Sequence, residues 1–236
     1  EIHYKGLLSD ESFRSKIRSE LKQPAVVRLF NGEWGELKVL EVIQDSNRHF
    51  ECKSISEITH EAGEDPLDFQ LNLSLQENLE TTFLSVLLNS DEIAVTKLWA
   101  PPYSTIALSD AGAHLIFFCD AGFGLHLLGH WVRDRQIMPL EEGVHRLTGQ
   151  PAQIYGIPGR GCIAPDAHAD LLLFDPKRVG RSRARRTNDL PGGQRHLTTD
   201  PQGVYGVWIN GRQVWGDTEP VAIDHYPGQV LRKFDS

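Results

Sequence analysis

The segment best suited to chemistry is Leu108-Ser-Asp-Ala-Gly-Ala-His114, in which an aspartate follows a short apolar stretch and precedes small residues. In α/β folds, ligands bind beyond the carboxyl ends of strands, so Asp110 stands where a catalytic carboxylate belongs. Such a carboxylate can ligate a divalent metal or carry a proton to and from an attacking water. Two alternatives stay open: Asp110 could cap a helix or support a turn, and His114 could face the same pocket or pack at a loop edge.

Two further groups of residues have a spacing that could serve binding. His126 and His130 are four residues apart in a predicted helix over residues 125–135, so they share one face, as a pair of metal ligands would. The leucines between them leave no HExxH motif and favour a packing role. Basic residues also cluster further along the chain, at Arg178, Arg181, Arg183, Arg185 and Arg186. Arginines can hold phosphates, but without interleaved aromatic residues a solvated loop is favoured.

Composition excludes several classes of protein. The 236 residues carry 24 Lys+Arg against 32 Asp+Glu, for a formal net charge of −8, so neither a nucleic acid nor a membrane is expected as a partner. A hydrophobic fraction of 40% with 24% charged residues is typical of a globular protein, and no apolar run approaches the roughly 20 residues of a membrane helix. The three cysteines form no CxxC pair, which favours a reducing compartment and a cytoplasmic location.

The predicted elements divide the chain near residue 155. Strands are predicted over residues 37–43, 92–98 and 105–108, and helices over residues 54–62, 125–135 and 139–155. Residues 1–155 are therefore α/β, whereas residues 156–236 are mostly β and include a hairpin turn at Asn210-Gly211. A complete (β/α)₈ barrel needs eight strand–helix units, and about three precede the β-rich part. The length thus fits only part of a barrel.

Motifs in a fixed order resemble the amidohydrolase superfamily, in the branch of N-acyl-D-amino-acid deacylases (D-aminoacylases). Nine stretches carry the resemblance, in this order along the chain: Ser54-Ile-Ser-Glu-Ile, Asp65-Pro-Leu-Asp, Glu77-Asn-Leu-Glu-Thr-Thr-Phe, Ile106-Ala-Leu-Ser-Asp-Ala-Gly-Ala-His114, Leu127-Leu-Gly-His-Trp-Val-Arg133, Leu140-Glu-Glu-Gly-Val-His-Arg-Leu-Thr-Gly149, Pro158-Gly-Arg-Gly-Cys-Ile-Ala-Pro165, Ala169-Asp-Leu-Leu-Leu-Phe-Asp-Pro176 and Val207-Trp-Ile-Asn-Gly-Arg212. The last stretches are characteristic of the return from the family's barrel to its small β-sandwich.

The resemblance implies a fold, a cofactor and a reaction. The fold is a metal-dependent (β/α)₈ TIM barrel with a composite β-sandwich, to which residues 1–155 would contribute C-terminal strand–helix units and residues 156–236 a β-rich segment. The cofactor is zinc, and the substrate is a small N-acylated amino acid or related amide. Asp110 takes the place of the family's aspartate that ligates metal and shuttles the proton, while Ser109, Gly112 and His114 are assigned to the pocket edge or to substrate binding.

One departure from the family pattern decides between the hypotheses. The family's His-x-His at the end of its first barrel strand occurs nowhere in these 236 residues, and the other metal ligands have no counterpart either. The leading hypothesis is therefore the C-terminal portion of a longer, active amide hydrolase. The alternatives are an inactive truncated remnant or interaction module and a hydantoinase-like cyclic amide hydrolase. Because part of a barrel leaves strand edges exposed, a homo-oligomer is also expected.

Overall fold

The computed structural model of the chain describes residues 2–23, 30, 32–86, 89–99, 101, 103–107, 109, 120–216 and 218–232. The chain divides into two compact units, Glu1–Val95 and Thr96–Ser236. The division that the sequence predicted near residue 155 lies within the second unit. The described part is a mixture of helices and short strands, which confirms the α/β class. None of its helices combines the length and apolarity needed to cross a bilayer.

The first unit packs helices against a small sheet. Its elements are α1 (Ile2–Ser9), α2 (Glu11–Leu21), β1 (Leu37–Glu41), a 3₁₀ helix (Asp45–Phe50), α3 (Ile55–Ala62), α4 (Pro66–Gln76) and β2 (Thr82–Ser85), followed by α5 (Glu92–Trp99), which begins in this unit. Strands β1 and β2 pair antiparallel. Local signals set the helix ends: Ser54 and Glu57 form a capping box at α3, and Gly63 ends it in the left-handed conformation.

The core of the first unit lies between the sheet and helices α3 and α4. Its buried side chains are Leu37, Val39, Val42, Ile55, Ile58, Phe69 and Leu73. A buried arginine joins the helical side: Arg14 of α2 donates to the carbonyl of Leu8, to Asp68 at 3.0 Å and to Asn72 at 2.8 Å. Because those partners belong to α1 or α4, one guanidinium fixes three helices at once.

A buried carboxylate organises the turn after β1. Glu77 is 2% exposed, and its carboxylate accepts hydrogen bonds from the backbone N–H groups of Ile43 and Gln44 and from the side-chain amide of Asn47. Burial opposes the charge, but these three donors outweigh it and lower the pKa of Glu77 below its ordinary value. The charged carboxylate therefore satisfies donors at the start of the 3₁₀ helix Asp45–Phe50.

The second unit is helical first and then built of antiparallel strands. After α5 its elements are α6 (Phe123–His126), a π-helix (Leu127–Asp134), α7 (Leu140–Leu147), α8 (Gly149–Ile154), β3 (Leu171–Phe174), β4 (Gly180–Arg181), β5 (Arg185–Thr187), a 3₁₀ turn (Pro191–Gly193), β6 (His196–Thr198), β7 (Pro201–Gln202), β8 (Val204–Ile209), β9 (Arg212–Gly216) and β10 (Glu219–Pro220). One sheet has the order β10-β9-β8-β3, while β4 pairs with β7 and β5 with β6. The hairpin predicted at Asn210-Gly211 joins β8 to β9.

Three predictions of local structure were wrong. The predicted strand at 92–98 is helix α5, because the Asp91 carboxylate accepts from the N–H groups of Ile93 and Ala94 and starts a helix that the β-branched residues continue. Residues 105–107, the described part of the predicted strand over 105–108, have no regular structure. The single helix predicted over 139–155 is two helices, because the backbone of Thr148 is non-helical (φ −129°, ψ −78°).

The barrel and the sandwich stay predictions. Every strand pair in the described ranges is antiparallel, whereas adjacent strands of a (β/α)₈ barrel are parallel. A mixture of helices and strands is compatible both with part of a barrel and with the antiparallel sheets observed, so the part-barrel organisation stays a prediction.

Replacing Glu77 tests the importance of the buried carboxylate. In Glu77→Gln one carboxylate oxygen is replaced by an NH₂ group, which would face N–H donors and cannot accept from them. We therefore expect the free energy of unfolding near neutral pH to fall by about 2 kcal/mol, measured by urea unfolding. Because the folded pKa is lowered, the stabilisation is present above the ordinary pKa of 4.5 and lost as pH falls, so the two stabilities should converge in acid. The exposed control Glu64→Gln should change little, and equal effects of both variants would contradict the assignment.

Candidate active-site frame

The predicted site residues fall at the boundary of what the structure describes. Asp110, Gly112 and His114 lie outside the described residues, so their predicted roles stay predictions. Ser109 is described and is half-buried. Several described residues come shortly before or after residues 110–119 in the sequence, and one distant arginine contacts them. We call this set the site frame: Ser104, Ser109, Asp120, Gly122 and Arg181.

A backbone hydrogen bond closes the site frame at its base. The N–H of Asp120 donates to the carbonyl oxygen of Ser109 over 3.1 Å, and the N–H of Phe123 donates to the carbonyl of Asp120 over 2.9 Å. The chain that leaves Ser109 therefore returns to it at Asp120, directly before α6 begins at Phe123. This fixes the two ends of the segment that carries Asp110.

Asp120 is also held by a distant arginine. Its carboxylate lies 3.5 Å from Nη1 of Arg181 on β4. Gly122 makes room for this contact, since a Cβ there would lie 2.7 Å from Cδ of Arg181 and 3.1 Å from Oγ1 of Thr199. Sequence reasoning missed this pair, because nothing in the spacing relates Asp120 to an arginine so far along the chain.

The segment before Ser109 is tied to α8 and to its own turn. The hydroxyl of Ser104 donates to the carbonyl of Pro101 at 3.0 Å, and Nε2 of Gln150 donates to the carbonyl of Ser104 at 3.4 Å. Side-chain and turn hydrogen bonds thus take the place of the strand ladder that the sequence predicted here.

Helix α6 begins directly after Gly122 of the site frame and continues into the π-helix. The imidazole rings of His126 and His130 stack with centroids 4.9 Å apart and planes 6° from parallel, so the predicted shared face is confirmed. Parallel rings direct their nitrogens side by side rather than toward one point. Trp131 packs edge-on against both His130 and Trp99, with centroids at 5.0 Å and 4.6 Å, which supports the packing role of this helix.

The π-helix lies directly on the backbone of β4 and the residue before it. A Cβ at Gly129 would lie 2.5 Å from the carbonyl oxygen of Val179 and 3.2 Å from Cα of Gly180. Nη1 of Arg133 donates to the same Val179 carbonyl at 2.5 Å, and its Nε pairs with Asp134 at 2.7 Å. That guanidinium lowers the pKa of Asp134 below its usual value, first through the hydrogen bond and then through its charge.

No metal centre is assembled within the described ranges. They hold no group of three or more His, Cys, Asp or Glu side chains placed to bind an ion. The solvated loop predicted for the arginine-rich run is wrong in part, because Arg181 lies on β4 and Arg185 and Arg186 lie on β5. Arg178 and Arg183 are exposed, and Arg185 binds Asp200 with two contacts of 2.8 Å. Cys52 and Cys162 are exposed free thiols.

The sequence belongs to a known family. The profile of the Amidohydrolase family matches residues 76–215, more than half of the chain and all of the site frame. The protein is therefore a member of the amidohydrolase family, and the resemblance seen in its motifs is confirmed. The matched range includes both Asp110 and the β-rich segment up to β9.

Similar proteins come from the deacylase branch. The chain is 38% identical over 111 residues to the N-acyl-D-aspartate deacylase of Alcaligenes xylosoxydans xylosoxydans, covering 47% of this chain and 20% of that protein. It is 33% identical over 107 residues to the D-aminoacylase of the same organism, covering 45% and 20%. A crystal structure of N-acyl-D-glutamate deacylase from Bordetella bronchiseptica, complexed with zinc and a phosphonate inhibitor, superposes with a TM-score of 0.47 at 24% identity, covering 85% of this chain and 38% of that one. The chain thus spans about a fifth to two fifths of these proteins.

A methyl group at Gly129 tests the close helix–strand contact. We expect Gly129→Ala to lower stability by about 1–3 kcal/mol in urea unfolding, because the clash is with backbone atoms that cannot rotate away. The matched control is Gly6→Ala in α1, where a Cβ meets nothing within 4 Å.

The control change should instead raise stability by about 0.5–1 kcal/mol, since alanine is the better helix former. A neutral or stabilising Gly129→Ala would show that the π-helix does not depend on this approach.

Proposed function

We propose that the protein is a metal-dependent hydrolase of carbon–nitrogen bonds in non-peptide amides, with N-acyl-D-amino acids as its substrates. The match of the Amidohydrolase family across residues 76–215 carries this proposal, because it covers Asp110 and the site frame together. The names of the similar proteins, N-acyl-D-aspartate deacylase and D-aminoacylase, support the substrate class. A small-molecule amide is accordingly the expected partner.

Asp110 is proposed as the proton carrier of the reaction. Water adds through its oxygen to the amide carbonyl carbon, Asp110 accepts the water proton, and the same proton passes to the nitrogen as the carbon–nitrogen bond breaks. The products are a carboxylic acid and an amine, so one water is consumed for each bond cut. Ser109, Gly112 and His114 would border the substrate pocket.

The site frame supports this role for Asp110. Asp110 follows Ser109 directly, and the Ser109 carbonyl is fixed by the N–H of Asp120. The Asp120–Arg181 ion pair and the packing of Arg181 against Gly122 then tie the far end of the segment to β4. The described residues on either side of residues 110–119 are thus held in place, and a fixed backbone on both sides favours the positioning that proton transfer requires.

The residues described here do not by themselves fit the zinc ion that the family resemblance implies. They bring no three ligating side chains together, and Asp110 would add a single carboxylate. A zinc site needs about three protein ligands. We therefore propose that the other ligands belong to sequence outside these 236 residues, and that residues 1–155 complete a barrel and residues 156–236 a β-sandwich in a longer protein.

A homo-oligomer is a further part of the proposal. Strand β3 is bonded on one side to β8 within the described sheet, and its Leu171, Leu172 and Leu173 are 40–53% exposed. An apolar strand at a sheet edge favours pairing with another chain.

The decisive experiment combines sequencing of the gene upstream of Glu1 with the substitution of Asp110 in the complete product. Reading the gene upstream of Glu1 should reveal a strand ending in His-x-His, and the complete product should hydrolyse N-acetyl-D-amino acids with stoichiometric zinc. In that product Asp110→Asn should lower kcat by about 10²–10⁴-fold, the contribution of a positioned proton carrier. The matched control Asp200→Asn makes the same chemical change in a half-exposed ion pair with Arg185, outside the site frame, and should leave kcat within about threefold.

Three outcomes separate the hypotheses. Equal losses in both variants would assign Asp110 a structural role. Absence of an upstream His-x-His, with neither zinc nor turnover, would favour the inactive remnant or interaction module. Turnover of a cyclic amide in place of N-acetyl-D-amino acids would favour the hydantoinase-like reaction.

A further inference from the structure

The β5–β6 hairpin contains a histidine whose two ring nitrogens both face acceptors. Nε2 of His196 contacts the carboxylate of Asp189, and Nδ1 lies 3.1 Å from the carbonyl oxygen of Leu197. The side chain of His196 is 15% exposed, whereas that of Asp189 is 71% exposed, so the ring is shielded from water more than its carboxylate partner is. A carboxylate and a carbonyl can only accept hydrogen bonds, so the ring nitrogens must be the donors.

The protonation state of the ring follows from this geometry. A neutral imidazole carries one N–H and can satisfy one of the two acceptors, while the other would face a nitrogen lone pair. The imidazolium ion carries two N–H groups and satisfies both. The arrangement around His196 is therefore complementary to its charged form.

The contact spans the base of a loop whose residues are mostly exposed. Residues 188–195 connect β5 to β6, and Thr187 faces His196 at the end of the ladder. Pro191–Gly193 form a 3₁₀ turn in which Gly192 and Gly193 have φ of 80° and 66°, and a Cβ at either glycine would meet nothing within 4 Å. The loop thus packs loosely at its tip.

The charges around the ring favour the imidazolium overall. Asp189 attracts it, Arg185 opposes it, and Arg185 is itself neutralised by Asp200 through two contacts of 2.8 Å. Arg195 precedes His196 in the chain and is exposed. The hydrogen bond to Asp189 raises the pKa of His196 above 6.5, against burial, and the Leu197 carbonyl adds to the rise.

We propose that His196 and Asp189 form a pH-dependent latch on the 188–195 loop, strongest while the imidazole is charged and weakened as it loses its proton. The latch is defined by three groups: the His196 ring, the Asp189 carboxylate and the Leu197 carbonyl. It lies outside the site frame and does not depend on the proposed hydrolase activity.

The sign of the pH dependence follows from linkage. The folded pKa of His196 lies above the unfolded value, so the stabilisation from the latch is complete below the unfolded pKa and declines as pH rises through the folded one. The loop should therefore be held more tightly in mild acid than in mild alkali.

Nuclear magnetic resonance of the 236-residue chain tests both the ring and the loop. At about pH 6 the ¹⁵N shifts of His196 should show both nitrogens protonated, and at about pH 9 a single tautomer. Hydrogen-exchange protection of the 188–195 amides, corrected for intrinsic rates, should fall across the same midpoint, by roughly tenfold for each pKa unit by which folding raises the His196 pKa. A neutral ring at about pH 6, or protection independent of pH, would overturn the proposal.

Variants add an independent check. Asp189→Asn should move the midpoint to lower pH, and His196→Gln should remove the pH dependence of loop protection. The matched control is His225→Gln, which alters another histidine–aspartate contact, 3.1 Å from Asp224, in the C-terminal tail. It should leave the loop profile unchanged, and an equal effect would assign the pH dependence to general electrostatics instead.

Discussion

The second unit depends on one close approach, that of the π-helix to the backbone at Val179 and Gly180. Gly129 permits it because it has no side chain, and Arg133 reinforces it by donating to the same carbonyl. Seven residues earlier, the side chain of Arg181 packs against Gly122 and pairs with Asp120. Contacts at these positions fix the helix on β4, and the helix start then fixes Asp120 against Ser109. The site frame is thus held by backbone contacts between residues that are far apart in the sequence.

The first unit uses buried charge for a similar purpose. Glu77 and Arg14 are both buried, and each satisfies several partners from different elements. A buried charge with incomplete partners is costly, so these networks tolerate few alternative arrangements of the turn after β1 and of helices α1, α2 and α4. Packing of apolar side chains supplies the area buried, and the polar networks specify which elements meet.

His196 shows how the same logic can yield a condition-dependent contact. Glu77 keeps its charge because three donors outweigh its burial, whereas His196 can lose its charge within the ordinary range of pH. The first arrangement stabilises the fold throughout the neutral range of pH, and the second stabilises a loop only while the histidine is charged. The difference lies in the ordinary pKa of each side chain, not in the number of its partners.

The sequence by itself determined the family, the helix over residues 54–62, the hairpin at Asn210-Gly211 and the shared face of His126 and His130, because each is a local pattern or an ordered set of motifs. It misassigned residues 92–98, since β-branched residues favour strands until the Asp91 cap is considered. Only the tertiary structure decided that Asp120 meets Arg181, that Gly129 meets Val179 and that both nitrogens of His196 face acceptors. These contacts depend on the direction and distance of groups from separate elements, which neither composition nor spacing encodes.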